Sequence, residues 1–500
     1  MSIISSILMT DGYKFCHKDQ YPKGIDWVYE TWTPRKSRIL GVNHVVCFGL
    51  QGALQELSTA FEQTFFSRPR AEVIAEIVET MEGVFELTNP EMVKNYDYGH
   101  FEALHDLGYL PIKIKAVEEG TFVPIGVPMF TIENTLPDFF WLPGFLETQL
   151  SSYVWQSMTS ATIANLYKRI LDKYAKITSD KETFFQAGDF SMRGMGSPEA
   201  SYRVASGHLL SFGVSATIPA RTYLMKCYQA ERNVVAYAPS TEHSVMCSYG
   251  QDEKEAFLQL IQRVYPSGIV TVVSDSYDFW SVVDNVLPSI KDQIIRRKGK
   301  MNIRPDSGDP VKIICGDPES ENLSIKKGLI ERLYEIFGGV TNSKGFKTLD
   351  PHIGCIYGDS ITPERAKEIC EKLCQKGFDT TSVGLGIGSY TYQFVTRDTF
   401  GFALKGTAER KNGVFHPIFK DPKTDTDHFK KSHRGMVAVV KNGNSYRVID
   451  NLTPDTVNHV KGNLLETVFL DGKLVKIYEF ASLRLKVENE SKKIYGGQKK

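Results

Sequence analysis

From about residue 183 onward, short apolar runs alternate with helical stretches, and polar residues or glycines follow each run. Four junctions are clear: GIVTVV at 268–273 precedes SDSYD, MNIR at 301–304 precedes PDSGDP, IGCIY at 353–357 precedes GDSITPERAKEI, and DTTSVGL at 379–385 precedes GIGSYTYQ. Strands that alternate with helices predict parallel βαβ units. Polar residues grouped after the strands place a functional site at the carboxyl ends of the strands, as in an α/β barrel.

The segments on either side of this region have other patterns. Residues 68–106 and 145–175 have helical periodicity, whereas residues 111–133 alternate like a small antiparallel β unit. Beyond about residue 400 the chain again predicts strands, with Asn-Gly turn signals. We therefore predict three portions: an N-terminal helical and small β portion over 1–180, an α/β barrel with active-site loops over 181–400, and a C-terminal β-rich portion over 401–500 that packs back on the N-terminal part.

Charge and motif content argue against several classes of protein. Lys plus Arg and Asp plus Glu both number 59, so we expect no broad nucleic-acid surface. No stretch approaches the ~18 apolar residues of a membrane span, and the first apolar run is too short for a signal peptide. The eight cysteines form no CxxC pair, and no P-loop, HExxH or GxSxG motif occurs. We expect a cytoplasmic protein that binds neither nucleic acid nor membrane.

Two acidic motifs follow predicted strands. In IRPDSGDP, Arg304 can bind a phosphate in bidentate fashion, and Gly308 permits close approach of a ligand. Asp306 can accept hydrogen bonds from sugar hydroxyls or orient the waters of a metal ion. In SDSYD, Asp275 lies at a strand end. The alternatives are an Arg–Asp pair that only braces a turn, and an aspartate that only caps a helix.

Two glycine turns on neighbouring predicted strands can hold a phosphate with their backbone N–H groups. One contains Gly358 and Asp359, and the other contains Gly386, Gly388 and Ser389. Either turn alone is a weak signal, because glycine turns are common in α/β proteins, but two adjacent turns are a stronger one.

Two further segments carry candidate side chains. TEHS contains His243, a candidate catalyst whose alternative is a structural hydrogen-bonding role. GDFSMRG contains Phe190, a candidate stacking face, and Arg193, a candidate cation; a packed loop is the alternative.

These motifs, in this order, resemble the nicotinamide phosphoribosyltransferase family. The resemblance covers residues from about 8 to 485, and its matching segments are DGYKFCHKDQYP at 11–22, GDFSMRG at 188–194, TEHS at 241–244, VVSDSYD at 272–278, IRPDSGDP at 303–310, TNSKGFKTL at 341–349, YGDSI at 357–361, VTRD at 395–398, FALK at 402–405 and FKDP at 419–422. It implies an irregular TIM-like α/β barrel of the type II phosphoribosyltransferase kind, with flanking β-rich parts from both chain ends. It also implies homodimers with two active sites shared between subunits.

The resemblance also implies roles for individual residues. Phe190 and the partner subunit's Tyr13, in the same motif as Asp11, would sandwich a pyridine ring. Arg193 would lie beside the ring and the phosphates, and Arg304 and Asp306 would hold the ribose. The remaining positions bind substrate groups: the backbone at Gly358, Asp359, Gly386, Gly388 and Ser389 for the nucleotide's ribose and phosphate, and Arg35, Arg397, Lys405 and Lys420 for pyrophosphate.

The activity implied by the resemblance joins nicotinamide to phosphoribosyl pyrophosphate, giving nicotinamide mononucleotide and pyrophosphate for NAD salvage. Magnesium would be held mainly by pyrophosphate, with Asp275 and Asp306 nearby, and ATP would act as a coupled activating substrate through transient phosphorylation of His243. The chemistry agrees, because pyrophosphate departure from an anomeric carbon needs cations at the leaving group and carboxylates at the ribose.

Two positions depart from the family's pattern. Ser389 stands where a glycine is expected, and Ala216 stands where an aspartate contacts the carboxamide in animal members. The nearest alternative is therefore a nicotinate phosphoribosyltransferase. The others are a non-enzymatic signalling protein on the same fold and a barrel glycosidase that uses Asp275 and Asp306 as a carboxylate pair.

Overall fold

The computed structural model describes residues 4–424 and 431–496, and the chain divides into two compact units. The barrel unit comprises Ile163–Thr222 and Glu231–Val395. The β-rich unit comprises Met1–Thr162, Tyr223–Ala230 and Thr396–Lys500. The predicted division into three consecutive portions stays a prediction.

The barrel unit contains a sheet of six parallel strands, in the order Val214–Ser215, Ala187–Asp189, Val383–Ile387, Ile353–Tyr357, Met301–Arg304 and Val270–Val273. One short segment joins the two edges of this sheet: Ala236 forms a parallel bridge with Val214, and Ser240 forms one with Thr271. The strands therefore curl into an irregular barrel, and the predicted fold class is confirmed.

Helices follow the strands of the barrel unit and cover them with apolar faces. In helix Pro363–Gln375, Thr362 caps the amide of Arg365, and the buried residues Ala366, Ile369, Cys370 and Leu373 have the spacing of one helical face. The α-helices wholly within this unit are Pro198–His208, His243–Cys247, Glu253–Gln259, Phe279–Ser281, Leu287–Ser289, Lys291–Arg296, Pro310–Cys315, Leu323–Lys327, Leu329–Phe337, Pro363–Gln375 and Ser389–Tyr392.

One predicted strand is displaced along the chain. The sequence predicts a strand over 379–385, but Thr380–Ser382 forms a turn of 3-10 helix and the strand runs over Val383–Ile387. The Asp379 side chain accepts from the amide of Thr381 at 2.8 Å, which stabilises the turn. Gly386 consequently lies inside the strand, and its predicted place in the following turn is wrong.

The β-rich unit contains a seven-stranded antiparallel sheet built from both chain ends. Its strands, from one edge to the other, are Val414–Pro417, Ala403–Lys411, Ile25–Thr33, Phe130–Asn134, Ile112–Ala116, Glu466–Leu470 and Lys473–Leu474. Trp32 is fully buried on this sheet, stacked between Phe130 and Phe402. The predicted small β unit over 111–133 and the later strands are confirmed.

Helices and two short strand pairs complete this unit. The strand pairs are His44–Val46 with Phe122–Pro124 and Met436–Asn442 with Ser445–Leu452. The α-helices wholly within it are His17–Gln20, Leu50–Phe61, Arg70–Phe85, Pro90–Lys94, Gly99–Leu107, Leu142–Phe145, Pro454–Asn458 and Phe480–Tyr495. Two further helices, Glu147–Thr178 and Ile218–Tyr228, have residues in both units. Within residues 4–424 and 431–496, no helix is both long and apolar enough to cross a membrane.

Candidate active site

A network of Arg304, Asp306 and Asp275 stands at the carboxyl ends of two neighbouring strands. The Arg304 Nη2 atom lies 2.9 Å from Asp306 Oδ2. The Asp275 side chain, only 3% exposed, accepts from the amide of Asp306 at 2.8 Å and from the hydroxyl of Ser307 at 2.6 Å. Asp275 thus fixes the turn that carries Asp306. The Arg304 guanidinium and the Asp306 carboxylate consequently lie side by side at the carboxyl ends of the strands.

The Phe190 ring lies on the glycines of the neighbouring strands. The Arg304 guanidinium carbon lies 5.9 Å from the centre of this ring, and the Tyr237 ring meets it edge-on at 6.2 Å. A Cβ at residue 358 would lie 3.4 Å from the ring, and a Cβ at residue 386 would lie 2.7 Å from Phe190 Cε2. The glycines therefore leave space for the ring. The role of Gly386 is that it has no Cβ atom to overlap the Phe190 ring.

These groups surround a cleft of about 780 Å³ in the barrel unit. It brings together most of the predicted site residues of this unit: Phe190, Arg193, Ala216, His243, Arg304, Asp306, Gly358, Asp359, Gly388 and Ser389. Asp275 lies beneath the cleft and Gly386 behind the Phe190 ring. The Ser389 hydroxyl packs against Gly194, where a Cβ would overlap it, so glycine at 194 accommodates the serine.

His243 begins helix His243–Cys247 and is about half exposed at the edge of the cleft. Its Nε2 atom lies 3.9 Å from Asp275 Oδ1 and 4.0 Å from Asp306 Oδ2. Because this imidazole is open to solvent, a second ligand can reach it beside the two carboxylates. A buried structural histidine would not be accessible in this way.

Asp189 is a residue of the site that the sequence interpretation missed. Its fully buried carboxylate accepts from the amide and hydroxyl of Ser191, and from the hydroxyls of Ser215 and Thr217 at 2.8 and 2.6 Å. It thereby ties together the two loops that carry Phe190 and Ala216. Its position at a strand end, the signal that identified Asp275, would have identified it.

The other predicted residues lie in the β-rich unit. Tyr13 is 56% exposed, and its hydroxyl donates to Asp11 at 3.3 Å. Arg35 and Lys405 line a cavity of about 290 Å³ to which Lys431 and His433 also contribute. The two remaining cations are placed elsewhere on this unit: Arg397 lies 3.4 Å from Asp398, and Lys420 is exposed.

Comparison with known proteins identifies the chain's relatives. The model of the nicotinate phosphoribosyltransferase (NAPRTase) family matches residues 185–473, and that of the nicotinamide phosphoribosyltransferase N-terminal domain matches residues 5–114. A nicotinamide phosphoribosyltransferase from Acinetobacter baylyi is 42% identical over 94% of each chain. The chain belongs to the nicotinamide phosphoribosyltransferase family. It is therefore a phosphoribosyltransferase, and the glycosidase alternative is wrong.

Other relatives agree with this family assignment. A nicotinamide phosphoribosyltransferase from Xanthomonas campestris is 31% identical over 96% of this chain and 97% of its own length. Two solved structures share the fold at 15% identity: a nicotinate-nucleotide pyrophosphorylase from Pyrococcus furiosus, with a TM-score of 0.60 over 99% of this chain and 97% of its own, and the human nicotinic acid phosphoribosyltransferase, with 0.57 over 97% and 93%.

Proposed function

We propose that this phosphoribosyltransferase joins nicotinamide to phosphoribosyl pyrophosphate, producing nicotinamide mononucleotide and pyrophosphate for NAD salvage. The observation that carries the proposal is the cleft of the barrel unit. An aromatic face at Phe190, the Arg304–Asp306 pair and the open turns at Gly358 and Gly388 converge there. The aromatic face suits a pyridine ring, the Arg304–Asp306 pair suits a ribose, and the glycine turns suit a phosphate.

In the proposed reaction, this chain's residues mainly position and stabilise charge. The pyridine nitrogen attacks the anomeric carbon with its own lone pair, so no side chain needs to remove a proton. Positive charge that develops on the ribose is stabilised by the Asp306 carboxylate, whose direction Arg304 and Asp275 fix. The Phe190 face holds the ring for attack, which turns a bimolecular step into an effectively unimolecular one.

The proposal also includes magnesium, and ATP as a coupled substrate that phosphorylates His243. Within the described part of the chain, no three His, Cys, Asp or Glu side chains group as a metal site. Asp275 Oδ1 is buried without a hydrogen-bond partner in that part of the chain, and Asp306 lies close by. Two carboxylates suit magnesium, which binds one or two carboxylates together with substrate phosphates. Bound there, the ion would neutralise charge on the leaving pyrophosphate.

The proposed enzyme is a cytoplasmic homodimer. All eight cysteines are free thiols, as in proteins of a reducing compartment. Subunits that share sites would let the Tyr13, Arg35, Arg397, Lys405 and Lys420 side chains of one subunit act on substrates held in the barrel unit of another.

The decisive test of the reaction is a product assay with phosphoribosyl pyrophosphate and magnesium, with nicotinamide and nicotinic acid in separate tubes. We expect nicotinamide mononucleotide as the main product. Formation of neither nucleotide would reject the proposal and favour the non-enzymatic alternative.

The second candidate function is a nicotinate phosphoribosyltransferase, and the methyl group of Ala216 in the cleft favours it. An aspartate at this position would accept a hydrogen bond from the carboxamide and repel a carboxylate. Without it, one charge-assisted hydrogen bond worth about 1.5–3 kcal/mol is lost, or roughly ten- to a hundredfold in discrimination. The buried Ser215 hydroxyl donates to Asp189, and its oxygen accepts from the amide of Thr217.

Ala216→Asp should therefore widen the preference for nicotinamide over nicotinic acid by roughly ten- to a hundredfold in kcat/KM. Ala216→Asn, which adds similar bulk without charge, serves as the control. A higher kcat/KM for nicotinic acid in the wild-type enzyme would instead support the second candidate.

His243→Ala should lose ATP hydrolysis and the stimulation of synthesis by ATP while it keeps ATP-independent synthesis. The half-exposed imidazole beside Asp275 is the group we expect to accept the phosphoryl group. Replacement of the exposed His416 is the control. Undiminished ATP hydrolysis in His243→Ala would contradict this role.

Mixing Arg397→Ala and Arg304→Ala proteins should restore activity that each lacks alone, because a hybrid dimer would contain one site with both arginines. Subunit exchange is checked with two affinity tags. Demonstrated exchange without recovered activity would refute shared sites.

A further inference from the structure

The first residue of helix Glu147–Thr178 links two cations of the β-rich unit. Glu147 Oε2 lies 2.7 Å from the Nζ atom of Lys14, and its Oε1 lies 3.5 Å from the Nζ atom of Lys405, which also donates to the carbonyl of Leu404 at 2.8 Å. The Lys14 side chain is only 3% exposed, and its Nζ atom lies 5.4 Å from the centre of the Tyr13 ring. A single carboxylate thus contacts both the cation beside Tyr13 and the cation of the 290 Å³ cavity.

The second residue of the helix reaches Tyr13 by another route. The Thr148 hydroxyl donates to Asp11 Oδ2 at 2.7 Å, and the same oxygen accepts from the Tyr13 hydroxyl at 3.3 Å. Tyr13 is more than half exposed and so has little packing to fix its ring. The centre of its ring lies 5.2 Å from that of His17, and its polar contacts are with Asp11 and Lys14, both of which this helix start holds.

A second carboxyl group lies in the same cluster but is a weaker partner for the lysines. Burial raises the pKa of Glu30 to about 7, and the charge of Glu147 contributes to the rise, whereas Lys14 and Lys405 lower it. Near neutral pH, Glu30 is therefore only partly ionised. Loss of the Glu147 charge would ease its ionisation and compensate in part.

We propose that Glu147 and Thr148 are positioning residues that set Tyr13 for the pyridine ring and Lys405 for pyrophosphate at the same time. This inference rests on the proposed function, in which Tyr13 and Lys405 contact substrates. The two residues act on different groups. Glu147 contacts Lys405 directly and Tyr13 through Lys14, whereas Thr148 acts only on Tyr13, through Asp11.

Glu147→Gln should raise the KM for nicotinamide and the KM for phosphoribosyl pyrophosphate each by about tenfold, with a smaller change in kcat. Thr148→Val should raise the KM for nicotinamide alone. A purely structural role would lower the active fraction, and hence kcat, and leave both KM values unchanged. Glu76→Gln, which breaks an ion pair with Arg68 in the same unit, should change neither KM.

The outcomes separate the inference from the proposed function. An active wild-type enzyme with unchanged KM values in Glu147→Gln overturns the positioning role and leaves the proposed function intact. A rise of both KM values in Thr148→Val overturns the division between the two residues. A wild-type enzyme that converts neither base overturns both proposals. If Glu147→Gln does not fold, as judged by its thermal transition, Thr148→Val alone decides through the KM for nicotinamide.

Discussion

Asp306→Asn should lower kcat/KM for nicotinamide mononucleotide synthesis by about 10²–10³-fold, the size of effect seen when one preorganised group that stabilises transition-state charge is removed. The carboxylate accepts from Arg304 at 2.9 Å and lies on a turn that Asp275 fixes. An amide of the same size fills the same space but cannot balance positive charge on the ribose. It also leaves the mostly buried Arg304 without its carboxylate partner.

This loss should appear mainly in kcat, because charge on the ribose develops only as pyrophosphate leaves. The control is Asp292→Asn, which replaces an aspartate that is 77% exposed and lies outside the cleft. Thermal unfolding of both variants checks that the fold is retained. A loss below about tenfold in Asp306→Asn would contradict electrostatic stabilisation by this carboxylate.

Four of the six strands of the barrel unit could be predicted, because each of the four is a short apolar run followed by a polar turn, whereas Ala187–Asp189 and Val214–Ser215 are too short to show this pattern. The strands Met301–Arg304 and Ile353–Tyr357 have the predicted limits. The segment that joins the sheet edges could not be predicted in this way. Pro239 lies in it and has no N–H group to donate, yet its carbonyl accepts from the amide of Thr271 at 2.8 Å.

The displaced strand had a tertiary cause. Thr380 and Thr381 are β-branched and favour a strand locally. However, the Asp379 carboxylate accepts from the amide and hydroxyl of Thr381 and from the hydroxyls of Ser179 and Thr348. Two of those donors are more than 30 residues away in sequence. Local propensity therefore gave the wrong start for this strand.

The sequence predicted many of the residues that line the cleft, but not the hydrogen bonds that hold them in place. Strand-end motifs identified Arg304, Asp306 and the glycine at 358, all of which line it. No sequence pattern showed that Asp275 accepts from the backbone of Asp306, or that the carboxylate of Asp189 joins two loops. Both are hydrogen bonds between segments that are distant in sequence, and the shape of the turns decides them.

Gly386→Ala should lower kcat/KM by about a hundredfold, because even a 1 Å displacement of a positioning group can cost that much. A Cβ at this position would lie 2.7 Å from Phe190 Cε2 and 2.7 Å from the Cα atom of Gly358. To relieve both contacts, the Phe190 ring must move away and the backbone at Gly386 and Gly358 must separate slightly. We expect the KM for nicotinamide to rise more than the KM for phosphoribosyl pyrophosphate.

Overpacking of this kind also destabilises the fold, by about 1–3 kcal/mol. Gly384→Ala is the matched control in the same strand, since its Cβ would meet Ile356 Cγ1 at 3.4 Å, an ordinary contact. If Gly386→Ala lost stability but kept its KM for nicotinamide, Phe190 would not be the surface that receives the ring. A fall in kcat/KM of Gly384→Ala equal to that of Gly386→Ala would show instead that the strand tolerates no side chain, whatever the position of the ring.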